Sequence, residues 1–184
     1  MTDNQRVYAD MWVDPDEDPR GQGFTHGERE TVLEYLDDYR RTLVMKCEGL
    51  TPEQLATASV PPSNLSLLGL VRHMAAVEQS WFRRVMGRDL ALPRLYGKSE
   101  DRDADFTRVE PTQECVDEAF ASLRREIAYA EEYVAGQTDL GVTGTHADGE
   151  IELRQVLVHM VEEYARHCGH ADLLRECIDG RTGQ

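Results

Sequence analysis

The stretch from Ile151 to Gly180, IELRQVLVHMVEEYARHCGHADLLRECIDG, constrains the fold more than any other part of the chain. It holds no proline, and its apolar residues return every three or four positions, the period of a helix that buries one face. A helix of about 28 residues is roughly 42 Å long, with Gly180 as its stop. An apolar stripe of that length needs partners of similar length to cover it.

Three other segments show the same period. In HGERETVLEYLDDYRRTLVMKCEGL the residues Val32, Leu33, Leu36, Tyr39, Leu43 and Met45 form a stripe, and Gly49 is the expected stop. The next loop, TPEQLATASVPPSN, contains paired prolines that cannot continue a helix. SLLGLVRHMAAVEQSWFRRVMG then starts at Ser66, an N-cap residue, and stops near Gly87. The irregular connection RDLALPRLYGKSEDRDADFTRVEP follows, of the length that often covers a site. TQECVDEAFASLRREIAYAEEYVAG forms the third helix, from Thr112 to Gly136. The linker QTDLGVTGTHADGE carries turn chemistry at ADGE, with a short extended piece expected at each end. Four amphipathic helices and no substantial sheet define an all-α, four-helix bundle. Residues 1–25, rich in Asp, Pro and Gly, are expected to be an extended arm on a bundle domain of residues 26–184, with Tyr8, Met11, Trp12 and Val13 available to pin it.

A net charge of −15 argues against nucleic acid and anionic membrane surfaces as partners. The N-terminus lacks a signal-peptide pattern, and no segment has the ~18 consecutive apolar residues of a membrane span. Cys47, Cys115, Cys168 and Cys177 form no CxxC pair, so reduced thiols and a cytoplasmic location are expected.

The last helix also carries His159, Glu163, His167 and His170. At ~100° per residue, with His159 as zero, these fall near 0°, 40°, 80° and 20°. Leu153, Val156, Leu157, Met160, Tyr164, Cys168, Ala171 and Leu174 occupy roughly 60° to 180° by the same count. The polar stripe therefore edges the core-facing arc. Glu163 and His167, at i and i+4, can aim a carboxylate and an imidazole at one point. His73, flanked by Leu70, Met74 and Val77, also faces inward and can supply a third metal ligand, leaving a coordination position for substrate. A plainer reading makes the histidines hydrogen-bonded core residues, with Glu163 paired to Arg166 or Arg72. The segment HMVEEYARH lacks the HExxH pattern, and no helix carries a Glu-x-x-His pair of the di-iron bundles.

The segments ERETVLEYLDDYRRTLVMKCEGL, VPPSNLSLLGLVRHMAAVEQSWFRRV and VLVHMVEEYARHCGHADLLRECIDGRTG, in this order, resemble the DinB-like (YfiT-like) metalloenzyme superfamily, and within it an actinobacterial mini-circle-protein branch without an assigned function. The resemblance implies an up-down-down-up bundle, often a homodimer, with a metal held by one residue of helix 2 and an i, i+4 pair on the last helix. By motif position these are His73, Glu163 and His167. Many relatives have three histidines, and a glutamate in the middle position is similar to the mycothiol-dependent maleylpyruvate isomerase variant. His170 stands where many relatives have glutamine, as an outer partner or a fourth ligand.

Characterised relatives of this kind transfer or isomerise with low-molecular-weight thiols such as mycothiol. The resemblance thus implies a divalent metal, zinc first with nickel or iron as alternatives, and a thiol and a small electrophile as partners. A bound cation turns a thiol into a thiolate at neutral pH. His170 and His159 are the candidates for proton transfer. Trp81, Phe82 and Tyr164 are either a substrate wall or core, and Arg72 and Arg166 are either anion anchors or salt-bridged residues. Cys168 points ~100° from His167 and is expected in the core. The alternative class is a non-catalytic, metal-binding or stress-related dimer. A third reading, a metal-free histidine network, implies stability that falls near pH ~6.

Overall fold

The computed structural model describes residues 11–14, 16–21, 24–97 and 101–183. Its long helices are α1 (Glu28–Cys47), α3 (Leu67–Glu78), α5 (Gln113–Ala135) and α6 (Leu153–Asp179), with short helices α2 (Pro52–Leu55) and α4 (Ala104–Thr107) in the connections. A two-stranded antiparallel hairpin, β1 (Thr143–His146) and β2 (Gly149–Glu152), precedes α6.

Local chemistry sets most of these boundaries. The Ser66 hydroxyl accepts from the Gly69 amide at 3.1 Å, and the Thr112 hydroxyl accepts from the Cys115 amide at 3.2 Å. Each satisfies a donor that the first helical turn leaves open. Gly136 caps α5 and Gly180 caps α6. Three details differ from the sequence reading. The proline-containing loop holds a helical turn, because Pro52 sits at its start, where a missing N–H costs nothing, and Thr51 with Gln54 forms a capping box. The second long helix changes to π-helical geometry over Gln79–Met86. Ile151 belongs to β2, so α6 starts at Leu153.

Cross-helix contacts fix the helix directions. Glu28 pairs with Arg154 at 3.3 Å, the Cys168 thiol donates to the Tyr39 carbonyl at 3.4 Å, and Arg175 donates to the Lys46 carbonyl at 2.9 Å. Residue numbers climb together, so α1 and α6 run parallel. Arg72 approaches Glu118 at 3.9 Å, and Tyr133 donates to the Met86 carbonyl at 3.3 Å, so α3 and α5 are also parallel. Between α3 and α6 the order reverses. His73 meets His167 with ring centroids 4.7 Å apart, and Trp81 meets His159 at 4.9 Å. The winding is up-down-down-up, as the resemblance implies, and the chain is the all-α, four-helix bundle expected from its sequence.

The eight apolar residues predicted for the buried arc of α6 are all in the core. Phe82 is fully buried there too, and neither it nor Tyr164 lines the cavity that Trp81 borders. An ion pair is enclosed with them. Glu78 accepts two hydrogen bonds from Arg40, at 2.8 and 2.9 Å, and one from the Tyr164 hydroxyl at 3.0 Å. Burial pushes the Glu78 carboxyl up, while the Arg40 guanidinium opposes it.

Trp12 pins the arm. Its ring is buried among Arg181 at 3.7 Å, Lys46 at 3.9 Å and Arg175 at 5.1 Å, and its carbonyl accepts from Arg181 at 2.8 Å. Tyr8 lies outside the described residues. Farther along, the Gly21 amide donates to Asp38 at 2.7 Å and Arg20 donates to Thr42 at 3.1 Å. No helix among the described residues is long and apolar enough to cross a membrane.

Candidate metal centre

The antiparallel contact between α3 and α6 brings His73 opposite the Glu163/His167 pair. Each of the three offers one ligand atom, and those atoms lie within 4.8 Å of one another. Glu163 Oε2 is 3.4 Å from His167 Nε2, and Glu163 Oε1 is 3.4 Å from His159 Nε2. Glu163 thus pairs with histidines rather than with Arg166 or Arg72. The hydrogen bond from His167 holds the Glu163 carboxyl below its usual range against partial burial, with His159 and His73 adding to the effect. A low carboxyl pKa keeps the group an anionic donor at neutral pH.

Sequence reasoning missed the residue behind His73. Asp105, on α4, is fully buried, and its Oδ2 lies 2.8 Å from His73 Nδ1. A buried carboxylate needs such a partner. With Nδ1–H donating to Asp105, His73 Nε2 carries the lone pair, the usual arrangement behind a metal-bound histidine. The rest of the connection is built to hold that carboxylate in place. Arg72 donates to the Asp105 carbonyl at 3.2 Å and stacks on Tyr96 with its guanidinium 4.0 Å from the ring centre. Phe106 stacks on His73 at 5.2 Å. The close approach requires Gly69, because a Cβ there would come within 2.7 Å of the Phe106 ring. Arg72 is therefore a staple for the connection and is not available as an anion anchor. The available signal in the sequence was Asp105 itself, set between Ala104 and Phe106 in a segment already expected to cover a site.

His170 stands behind His167, with the two Nδ1 atoms 3.3 Å apart. Burial holds His170 below its ordinary value, and His167 and Arg166 push the same way. A neutral His170 can accept from His167 Nδ1–H, a tautomer that would free His167 Nε2 to bind a metal in place of its hydrogen bond to Glu163. His170 and His159 flank the three-residue cluster and are not among its close set of ligand atoms. His159 contacts the edge of Trp81, and Trp81 stacks on His146 of β1 at 5.4 Å. Sequence reasoning also missed His146. Its place depends on Gly144, where a Cβ would lie 2.7 Å from the Val85 carbonyl.

Cys168 is buried, and burial pushes its thiol up to about 12. It is a core thiol, as expected from its angle on the helix.

Two imidazoles, each with a further polar partner behind it, and a carboxylate suit zinc and other divalent first-row metals. A helical bundle of this winding, with such a cluster between its second and last long helices, is a DinB-like protein. The family model for mycothiol-S-transferase matches residues 31–180, from α1 through the Gly180 cap, and the chain belongs to that family. No curated protein matches the chain.

Proposed function

We propose that the protein is a metal-dependent thiol S-transferase or isomerase that joins a low-molecular-weight thiol, mycothiol in particular, to a small electrophile. The observation that carries this reading is the His73–Glu163–His167 cluster, with ligand atoms within 4.8 Å and a fully buried carboxylate behind His73.

His73, Glu163 and His167 would hold the metal, zinc first, with nickel or iron as alternatives. When bound, the cation lowers the pKa of a thiol and makes it a thiolate nucleophile at neutral pH. Asp105 holds the His73 proton on Nδ1. His170 accepts the Nδ1 proton of His167 and fixes that ring in the same way. His159, 3.4 Å from Glu163 and half-buried, is placed to take the proton released by the thiol and pass it outward. In the transfer a carbon–sulfur bond forms, the leaving group departs with its electron pair, and the thiol proton goes to the base. We assign residues 26–184 to the catalytic bundle and residues 1–25 to its arm, and we place the protein in the cytoplasm as a homodimer.

The test is turnover of a chlorinated arene by the zinc-loaded protein with mycothiol, followed as chloride release. The reading expects activity in the wild type and its loss in His73→Ala and Glu163→Ala. Stoichiometric metal without turnover of any thiol and electrophile pair would instead identify a non-catalytic metal-binding protein.

A further inference from the structure

A cavity of about 400 Å³ opens between the π-helical segment and the hairpin. Its volume is in the range of small-ligand sites. Trp81 forms its inner wall and touches His159, whose Nε2 is 3.4 Å from Glu163. Two side chains in contact, Trp81 and His159, thus link the cavity to a ligand of the proposed centre.

The charge of the lining is opposite to that of the protein. The chain carries a net charge of −15, yet Arg84, Arg94 and His146 line the cavity and no aspartate or glutamate does. Arg84 donates to the Leu92 carbonyl, which fixes its stem without neutralising it. Among the described residues no carboxylate forms an ion pair with Arg84 or Arg94. His146 does face a carboxylate, that of Asp148 at 3.4 Å, but Asp148 points to solvent and is not part of the lining. Two guanidinium groups without carboxylate partners, beside an aromatic wall, form a receptor for a carboxylate carried on a small planar or apolar body. The Ser80 side chain adds a further hydrogen-bonding group to the same wall.

We propose that this cavity is the electrophile subsite, that Arg84 and Arg94 bind its carboxylate, and that the substrates are therefore small electrophilic acids. The identity of the bound group as an electrophile rests on the thiol-transfer reading above; the carboxylate recognition does not.

The test is calorimetric titration of the full-length, zinc-loaded protein with trans-cinnamate, an unreactive stand-in, and with the neutral isostere cinnamamide. Cinnamate should bind at least about tenfold more tightly than the amide, the scale of one charge-assisted hydrogen bond. Arg94→Gln, at an exposed position where folding is not at risk, should weaken cinnamate about tenfold and leave cinnamamide unchanged. Arg84→Gln should do the same. His73→Ala should keep the preference for cinnamate, because the arginines and not the metal supply it. If His73→Ala abolishes that preference while Arg94→Gln does not, the carboxylate binds the metal and the subsite is overturned. Equal affinity for the two probes, or binding of neither, overturns it as well. A wild-type protein that shows this preference but takes up no metal and turns over no thiol and electrophile pair would defeat only the thiol-transfer reading.

Discussion

Asp105 gives the sharpest test of how the centre is built. Its carboxylate is fully buried and lies 2.8 Å from His73 Nδ1. If His73 is a ligand, Asp105 fixes its tautomer, sets its ring orientation and makes Nε2 a better donor. Removing such an outer partner typically costs about 10- to 100-fold in metal affinity, which is roughly 1.4 to 2.7 kcal/mol. Asp105→Ala should fall in that range. Asp105→Asn keeps an oxygen that accepts from Nδ1–H but loses the charge, so about tenfold or less is expected. The assay is competition for zinc against a chromophoric chelator, with circular dichroism to confirm that each variant is folded. Asp148→Asn, at a position 94% exposed, serves as the control and should match the wild type. Folded Asp105 variants that hold zinc within twofold of the wild type would refute the reasoning, because His73 would then have no need of its buried partner.

Other parts of the bundle make separate predictions. Arg40→Met strips Glu78 of its guanidinium partner in a fully buried site, and urea unfolding should register a loss of about 3–5 kcal/mol. Burial already raises Glu78 in the native protein. A carboxyl raised on folding contributes stability below its unfolded pKa and loses it as pH rises, so the deficit of this variant should shrink as pH falls toward about 4. A deficit that is independent of pH would count against a buried, unpaired carboxyl as its cause. Burial also pushes the Cys47 and Cys168 thiols up to about 12, whereas Cys177 is exposed. Brief iodoacetamide treatment at pH 8 should therefore modify Cys177 and leave Cys47 and Cys168 intact by peptide mass mapping. Rapid labelling of Cys168 would contradict its place in the core.

The two halves of the centre differ in how far the sequence exposes them. Glu163 and His167 belong to one helix, and their spacing alone puts them on a shared face, so the pair is visible in any helical reading of that segment. His73 is visible as a histidine among core positions, although only the antiparallel contact of α3 with α6 brings it opposite the pair. Asp105 lies in an irregular connection, where no period tells which side chains turn inward. Its position depends on Arg72, Phe106 and the bare backbone of Gly69 together. The same holds for the cavity. Trp81 was a candidate wall residue, but the π-helical turn from Gln79 to Met86 breaks the 100° count on which a prediction of its neighbours would rest. His146 reaches Trp81 only through the register of a four-residue hairpin strand. The arm follows a similar rule. An aromatic residue in an Asp/Pro-rich tail suggests an anchor, but nothing local reveals that Lys46, Arg175 and Arg181 surround its ring.

The central claim is that His73, Glu163 and His167 together hold one metal ion. The most direct measurement is elemental analysis of protein purified without an affinity tag, comparing the wild type with His73→Ala and Glu163→Ala. The account predicts close to one equivalent of zinc, nickel or iron in the wild type and its loss in both variants. A wild-type protein that takes up no metal even after reconstitution would contradict it and leave the cluster as a hydrogen-bonded histidine network.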